Sequence, residues 1–350
     1  MWYDNTQDNT QDNMYDGGFV MDTYNPPYQI TDQMITLISS ISEKLGSLTA
    51  RHNFERKLHL RRNNKIRSIH SSLKIEANSL SLGEVRDVIL GKAVLGPQKE
   101  IQEVKNAFEA YTELATLNPY DINELKRMHG IMTKYIANDA GSFRLGEEGV
   151  FQGDRCIFMA PPARFVPELV QSLFDWMNRS KSTVHPLILS SIFHYEFVFI
   201  HPFSDGNGRI ARLWHSALLT KWNPLFEYIP IESQIEKFQD GYYQAIADCH
   251  VDGSSTKFIL FILQRIDEIL AVVGVQSKTS EENSSQYVKR LLAVMEYDIP
   301  YTAGELLSML ELKSKESLRR HYLTPAIQQG LLKMTLPDKP KSKNQRYVKP

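Results

Sequence analysis

The segment with the richest chemistry is residues 201–212, which read His-Pro-Phe-Ser-Asp-Gly-Asn-Gly-Arg-Ile-Ala-Arg. The imidazole of His201, with an ordinary pKa of about 6.5, can accept a proton near neutral pH, and a hydroxyl nucleophile would supply it. Asp205 is the only carboxylate in the segment, which suits it to a Mg²⁺ ion that keeps most of its waters and bridges phosphate oxygens. These two residues indicate a site for a nucleotide phosphate.

The same segment also offers donors for anions. An apolar run precedes it and a helix-like run begins at Ile210, so a loop between two buried helices is predicted. At the start of the second helix, backbone N–H groups are unpaired, and glycine lets a phosphate approach closely. The residues that would form this anion cradle are Gly206, Asn207 and Gly208. Arg209 and Arg212 are three positions apart, so both can reach one polyphosphate.

Each of these residues has an ordinary structural interpretation when it is taken alone. His201 could be a satisfied core histidine, Asp205 an N-cap, and the arginines a solvated helix face. Their combination at this spacing favours the phosphate site.

At every defined position the segment resembles the Fic-domain motif, His-x-Phe-x-Asp/Glu-Gly-Asn-Gly-Arg-x-x-Arg. The resemblance implies an all-helical fold and transfer of AMP from ATP to a Ser, Thr or Tyr hydroxyl of a protein, with release of pyrophosphate. By position it implies His201 as general base, Phe203 as core anchor and Asp205 as ligand of Mg²⁺ or Mn²⁺. It assigns ATP phosphates to Gly206, Asn207, Gly208, Arg209 and Arg212. The motif does not identify the target protein, and it leaves self-modification and a homodimer as alternatives.

A second feature lies upstream, at Ser71 to Leu80, which reads Ser-Ser-Leu-Lys-Ile-Glu-Ala-Asn-Ser-Leu. It is similar to the inhibitory helix motif of the family, Ser/Thr-x-x-x-Glu-Gly/Asn, with Ser72 and Glu76 in the matching places. Ala77 departs from the expected Gly or Asn, whereas Asn78 keeps the common ending.

The resemblance implies that Glu76 pairs with Arg212 and denies this arginine to the γ-phosphate of ATP. The alternative is a glutamate that pairs with Lys or Arg on an exposed helix face. In related proteins this glutamate is also implicated in removing AMP, so the reverse reaction stays open. Relatives also transfer UMP, phosphocholine or phosphate, although the complete motif favours ATP.

A third element, Gly149 to Pro162, has aromatic and β-branched residues on both sides of a Gly-Asp pair and predicts a β-hairpin. It resembles the flap with which the family holds its target segment, and an ordinary structural hairpin is the alternative. The predicted docking residues are Gly153, Asp154, Arg155, Cys156 and Ile157. Tyr242 and Tyr243 are candidates for stacking on adenine, although such tyrosines more often belong to a core or an interface.

Composition frames these predictions. The 350 residues carry a net charge of −1, which argues against a chain-wide polyanion partner. Two cysteines, Cys156 and Cys249, without a Cys-x-x-Cys pair indicate neither a disulfide framework nor a zinc site. With no signal-peptide core and no long apolar run, we expect a soluble, cytoplasmic protein that does not enter a membrane.

The predicted organisation has five parts. Residues 1–28 are an acidic and polar tail, expected to be disordered, because the first 25 residues hold five Asp and no Lys or Arg. Residues 29–95 form a helical region with the inhibitory helix, and residues 96–276 a catalytic helical bundle with the hairpin. A linker, 277–286, leads to a small domain at 287–350. Helical runs are predicted at 31–48, 53–75, 98–117, 121–137 and 166–180.

The last part follows a winged-helix outline. A helix begins near Tyr287, helices follow at Thr302–Leu310 and Ser314–Gln329, and two short strands flank residues 337–340. Residues 301–350 contain ten Lys or Arg and four Asp or Glu, a surplus of six positive charges. DNA binding is therefore the competing function, and a protein-docking or dimerisation module with a solvated basic rim is the alternative to it.

Overall fold

The computed structural model describes residues 24–50, 58–152, 155–279, 285–295, 299–340 and 342–349, and it is mainly helical, as predicted. The larger part of the chain contains the helices α1 Asp32–Ala50, α2 Leu58–Ile75, α3 Leu82–Ile89, α4 Gln98–Thr112, α5 Ile122–Met132, α6 Val166–Ser180, α7 Pro186–Ile200, α8 Asn207–Trp222, α9 Ile231–Lys237, α10 Gln239–Asp252 and α11 Thr256–Thr279. Between α5 and α6, β1 Gly149–Gln152 pairs with β2 Arg155–Met159 in an antiparallel hairpin.

The helices α7 and α8 form the centre of this part. Apolar residues occur all around α7, and a helix of this kind is stable only when other elements cover every face. The covering elements include α6, α8 and α11, while α2 packs on α4 and α9 at the side of α8. One continuous core extends from α1 to α11 and holds both ends of the loop at residues 201–206 in place.

The predicted helical runs agree with α1, α2, α4, α5 and α6, with α2 described from Leu58 onward. The helix α3 was not predicted, because its eight residues span little more than two turns. A capping box begins α3: Ser81 Oγ accepts a hydrogen bond from the Glu84 amide, and the Glu84 carboxylate accepts one from the Ser81 amide.

The predicted disordered tail, residues 1–28, is too long at its carboxyl end. Tyr24 donates its hydroxyl to Glu196 Oε2 at 2.7 Å, and Trp176 Nε1 donates to Asn25 Oδ1 at 3.1 Å. The Pro27 carbonyl accepts a hydrogen bond from the Ser255 amide at 2.9 Å. Partners from three helices or helix ends therefore hold residues 24–28, and the rest of the predicted tail lies outside the described residues.

The carboxyl-terminal part has its own core. Its elements are α12 Gln286–Val294, β3 Pro300–Thr302, α13 Ala303–Met309, α14 Lys315–Ser317, a π-helical turn Leu318–Leu323, α15 Thr324–Gln328, β4 Lys333–Met334 and β5 Arg346–Val348. The helices follow the predicted outline. The two predicted strands lie further apart in the sequence than expected. A third strand, β3, completes the sheet in the order β3-β5-β4. It was not predicted because its partner β5 lies far away in the sequence.

The larger part of the chain and the carboxyl-terminal part are linked by the end of α11 and by contacts of α3. The helix α11 continues through Thr279, so the first three residues of the predicted linker are helical. Leu82 of α3 packs against the carboxyl-terminal core, and the Arg86 guanidinium lies 5.6 Å from the ring centre of Tyr301. In the part of the chain that is described, no helix combines the length and the apolarity that a membrane crossing needs.

Candidate active site

Two residues with a left-handed backbone conformation lie at the ends of the loop between α7 and α8. His201 ends α7 with φ 51° and ψ 59°, and Gly206 precedes α8 with φ 85°. Glycine is required at the second position, since a Cβ there would also lie 2.9 Å from the Thr133 Cγ2 methyl group. The two reversals place the loop at the amino end of α8, where helical N–H groups lack helical partners.

His201 is held as a neutral base. A neutral imidazole keeps one ring nitrogen that can accept a proton. Burial lowers the pKa of His201 and outweighs the opposing effects of the Val198 carbonyl and of the Glu148 and Glu76 carboxylates, while Arg144 lowers this pKa further. The imidazole is therefore uncharged at neutral pH.

Phe203 and Asn207 fix the loop from inside. The Phe203 side chain is fully buried. Asn207 Oδ1 accepts a hydrogen bond from the Phe203 amide at 2.9 Å, and Asn207 Nδ2 donates to the Phe203 carbonyl at 2.6 Å. The side chain of Asn207 is thus occupied within the loop, and its contribution to an anion site is limited to its backbone N–H.

Asp205 and Arg209 form one charged pair of the site. Arg209 Nη2 lies 2.7 Å from Asp205 Oδ1, and Arg209 Nη1 lies 3.4 Å from Glu103 Oε1. Burial raises the pKa of Asp205, but the Arg209 guanidinium, together with the Gly206 amide and Lys99, lowers it by more, so the pKa falls below its usual value. The Asp205 side chain keeps 44% exposure, so an ionised carboxylate is open to solvent beside the loop.

Arg212 and Glu76 form the other charged pair. Arg212 Nη2 lies 2.8 Å from Glu76 Oε1, and the same guanidinium donates to Ser72 Oγ at 3.0 Å and to the Ser72 carbonyl at 2.8 Å. Burial lowers the pKa of Arg212, but Glu76, Tyr242 and Tyr111 together raise it by more, so this arginine stays charged although it is buried. The two residues of the predicted inhibitory motif and the last arginine of the loop motif are in direct contact.

The Glu76 carboxylate also lies over the start of α8. A Cβ added to Gly208 would collide with Glu76 Oε1 and would lie 3.1 Å from Arg212 Nη1. An anion of the protein itself therefore occupies the space in front of this helix terminus, as expected where backbone N–H groups and a helix dipole favour negative charge.

Two buried side chains that the sequence analysis missed support the loop. His129 stacks on Phe203 with ring centres 3.6 Å apart, and its Nε2 lies 2.9 Å from the Asp205 carbonyl. The Gly141 amide donates to His129 Nδ1 at 2.9 Å, so Nε2 carries the proton and donates to that carbonyl. Arg144 donates from Nε to the His201 carbonyl at 2.7 Å. The only sequence signal for either residue was the position of His129 among the apolar residues of α5.

The remaining predicted site residues lie as follows. The flap residues Arg155, Cys156 and Ile157 are the first residues of β2, while Gly153 and Asp154 lie outside the described residues. Tyr242 is 2% exposed, and its hydroxyl is within 3.0 Å of His194 Nε2, so it belongs to the core and cannot stack on adenine. Tyr243 is 47% exposed and keeps a free ring surface.

A left-handed glycine turn at the start of a buried helix, with a base, an open carboxylate and two arginines around it, has the arrangement of a phosphate-binding loop. Residues 119–219 match the model of the Fic/DOC family. Residues 286–348 match the model of the Filamentation induced by cAMP protein Fic-like, C-terminal domain.

Among solved structures, the chain is similar to a Fic family protein from Desulfovibrio desulfuricans G20, with 36% sequence identity over 93% of this chain and 98% of that chain and a TM-score of 0.69. Among curated proteins, protein adenylyltransferase fic-1 of Caenorhabditis elegans is 27% identical over 227 residues, which are 61% of this chain and 42% of that protein. Protein adenylyltransferase Fic of Drosophila mojavensis is 29% identical over 67% of this chain and 46% of its own length. The chain matches less than half of the length of each of these two curated relatives. Because the likeness to the Desulfovibrio desulfuricans protein covers nearly the whole chain at 36% identity, the chain belongs to the Fic family.

Proposed function

We propose that the chain is a protein adenylyltransferase, which transfers AMP from ATP to a Ser, Thr or Tyr hydroxyl of a target protein. The observation that carries the proposal is the amino end of α8, where Arg212 holds the Glu76 carboxylate against Gly208, near the neutral base His201. The names of the curated relatives, protein adenylyltransferase, support the same activity.

The chemistry follows from this arrangement. The target hydroxyl oxygen attacks the α-phosphorus of ATP while His201 accepts the hydroxyl proton. A bond forms between this oxygen and the α-phosphorus, and the bond from the α-phosphorus to the bridging oxygen breaks, so that pyrophosphate leaves with the electron pair. The N–H groups of residues 206–208, with Arg209 and Arg212, neutralise the charge on the leaving pyrophosphate.

Asp205 is the residue that would hold Mg²⁺ or Mn²⁺. Its carboxylate is ionised and 44% exposed. No group of three or more His, Cys, Asp or Glu side chains that could hold a metal occurs within the described ranges. This donor set fits a cation that takes most of its ligands from phosphate oxygens and water, and such a cation would neutralise phosphate charge.

We further propose that Glu76 inhibits this activity. Its carboxylate takes the guanidinium of Arg212 and the space in front of Gly208, the two features that would bind the terminal phosphates of ATP. ATP can react only after Glu76 moves, because two anions cannot share one cradle at low cost.

The test uses the purified Glu76→Gly chain, Mg²⁺ and a cell lysate, with ATP labelled on either the α- or the γ-phosphate. Label on protein from α-labelled ATP, absent with γ-labelled ATP and absent in Glu76→Gly with His201→Ala, is the expected result. Label from γ-labelled ATP would show that the chain transfers phosphate and not AMP. No label from either nucleotide, together with loss of AMP from previously modified protein when it is incubated with the unaltered chain, which keeps Glu76, would identify the reverse reaction instead.

DNA is the second candidate partner, and it involves a different surface. Lys315, Arg319 and Arg320 are exposed on the helical stretch that begins at α14, and Lys343 and Arg346 are exposed near β5. A basic helix next to a basic loop suits the phosphate backbone of a duplex. Retention on duplex DNA that falls steeply as salt rises, and that is lost in Arg319→Glu with Arg320→Glu, would support this partner.

A further inference from the structure

Arg144 is a buried cation whose hydrogen bonds run to backbone carbonyls. It is 2% exposed and lies between α5 and β1. Nε donates to the His201 carbonyl at 2.7 Å, Nη1 to the Gly146 carbonyl at 2.8 Å, and Nη2 to the carbonyls of Pro161 and, at 3.4 Å, Ile200. One guanidinium therefore joins segments that lie far apart in the sequence.

The four carbonyls belong to two functional elements. Ile200 and His201 lie at the end of α7, where the last carbonyls of a helix lack helical partners. Gly146 precedes β1, and Pro161 follows β2, so they flank the hairpin on its two sides. The Arg144 amide also donates to the Pro202 carbonyl at 2.9 Å. Arg144 thus connects the backbone of the proposed base with both ends of the proposed target-binding hairpin.

The conformation of His201 depends on such support. With φ 51° it is in the left-handed region, which a residue with a side chain occupies only where surrounding contacts hold it. The Nε bond of Arg144 to the His201 carbonyl fixes the peptide group that follows this residue. The direction of the imidazole is therefore tied to the same guanidinium that holds the hairpin.

We propose that Arg144 is a positioning residue that keeps His201 and the hairpin in register, so that a target hydroxyl held by the hairpin meets the base. The inference rests on the proposed function. Arginine is suited to this task because its planar fork offers five donors in fixed directions. A lysine keeps the charge but offers a single nitrogen, which cannot reach carbonyls on both sides.

The experiment introduces Arg144→Lys into the Glu76→Gly chain. We expect kcat for AMP transfer to fall about 100-fold, because a displacement of about 1 Å between reacting groups has this effect. The KM for ATP should stay unchanged, since the nucleotide cradle at residues 206–212 has its own supports in Asn207 and His129. Arg265→Lys is the matched control: Arg265 is also buried and pairs with Glu268 at 2.9 Å, and its replacement should leave kcat unchanged.

A second readout does not depend on activity. Amide hydrogen exchange at residues 149–152 and 155–159 should accelerate in Arg144→Lys, while helices α7 and α8 keep their protection. An unchanged kcat, or exchange that rises equally throughout the chain, would overturn the proposal, since the second result identifies general loss of stability. If the Glu76→Gly parent itself transfers no AMP, the proposed function fails, and the exchange pattern still decides whether Arg144 holds the hairpin.

Discussion

Glu76 and Arg212 are unequal partners in their ion pair: their atoms Oε1 and Nη2 lie 2.8 Å apart, but the Arg212 side chain is 1% exposed and that of Glu76 is 38% exposed. Arg212 is further held by two hydrogen bonds to Ser72. The glutamate is therefore the partner that can leave. On the proposed mechanism, relief of the inhibition would need only a movement of the end of α2, while the side of α8 that is proposed to bind phosphate would stay as it is.

Replacing Ala77 by Gly should strengthen the proposed inhibition by Glu76. Ala77 follows Glu76 directly and has φ 64°, a left-handed conformation that costs an alanine about 1 kcal/mol relative to glycine. Removing this strain favours the closed position of Glu76, so basal AMP transfer should fall about fivefold. Rates of label transfer with and without Ala77→Gly measure the effect. The same substitution in the Glu76→Gly chain is the control, and an equal fall there would refute the explanation.

Gly208→Ala tests the phosphate cradle. The added methyl group would occupy the space that the Glu76 carboxylate now fills, which is the space proposed for phosphate. In the Glu76→Gly chain we expect Gly208→Ala to lower transfer at least about tenfold and to raise the KM for ATP, because backbone N–H groups at a helix terminus bind anions only at close approach. Gly46→Ala, at a position with no atom within 4 Å, is the control. Full activity of the Gly208→Ala chain would place the phosphates elsewhere.

The loop could be predicted from the sequence because the residues of the proposed site are contiguous, so their spacing alone indicates the candidate base, the carboxylate and the glycine turn. Arg144 and His129 could not be predicted in the same way. Each acts through contacts with residues more than 50 positions away, and neither belongs to a local motif. The orientation of Tyr242 is a similar case, since helical periodicity does not distinguish a ring that faces a pocket from one whose hydroxyl contacts the buried His194.

The proposed role of His201 predicts a specific pH dependence of transfer. Burial lowers the pKa of its imidazole below 6.5, so the base is deprotonated throughout the neutral range. In the Glu76→Gly chain, kcat should be constant from about pH 6.5 to 8 and should fall only at more acidic pH. Initial rates over this range test the expectation. A kcat that rises continuously between pH 6.5 and 8 would assign the proton to another group.

Glu196→Gln should stabilise the protein at alkaline pH. Burial raises the pKa of Glu196 to about 7, from the usual 4.5, although the hydroxyl of Tyr24 opposes this shift. A raised carboxyl pKa means that the folded state binds the proton more tightly, so stability is lost as pH rises from 4.5 through 7. Glutamine does not titrate, so this loss disappears. The resulting gain in the free energy of unfolding should be about 3 kcal/mol at pH 8 and less than about 1 kcal/mol at pH 5.

Urea unfolding of both proteins at the two pH values measures the difference. The free energy of unfolding of Glu196→Gln should exceed that of the parent at pH 8 and approach it at pH 5. A difference that is the same at both values would show that the carboxyl group does not titrate in this range.

The most direct test of the central claim is the rate of AMP incorporation from α-labelled ATP in three chains: the unaltered protein, Glu76→Gly, and Glu76→Gly with His201→Ala. Removal of the carboxylate frees Arg212 and the space at Gly208, so incorporation should rise by at least about tenfold, which corresponds to a barrier lower by about 1.4 kcal/mol. It should vanish when the base is also removed. Equal incorporation by the first two chains would contradict inhibition by Glu76, and label that persists without His201 would contradict the assignment of the base.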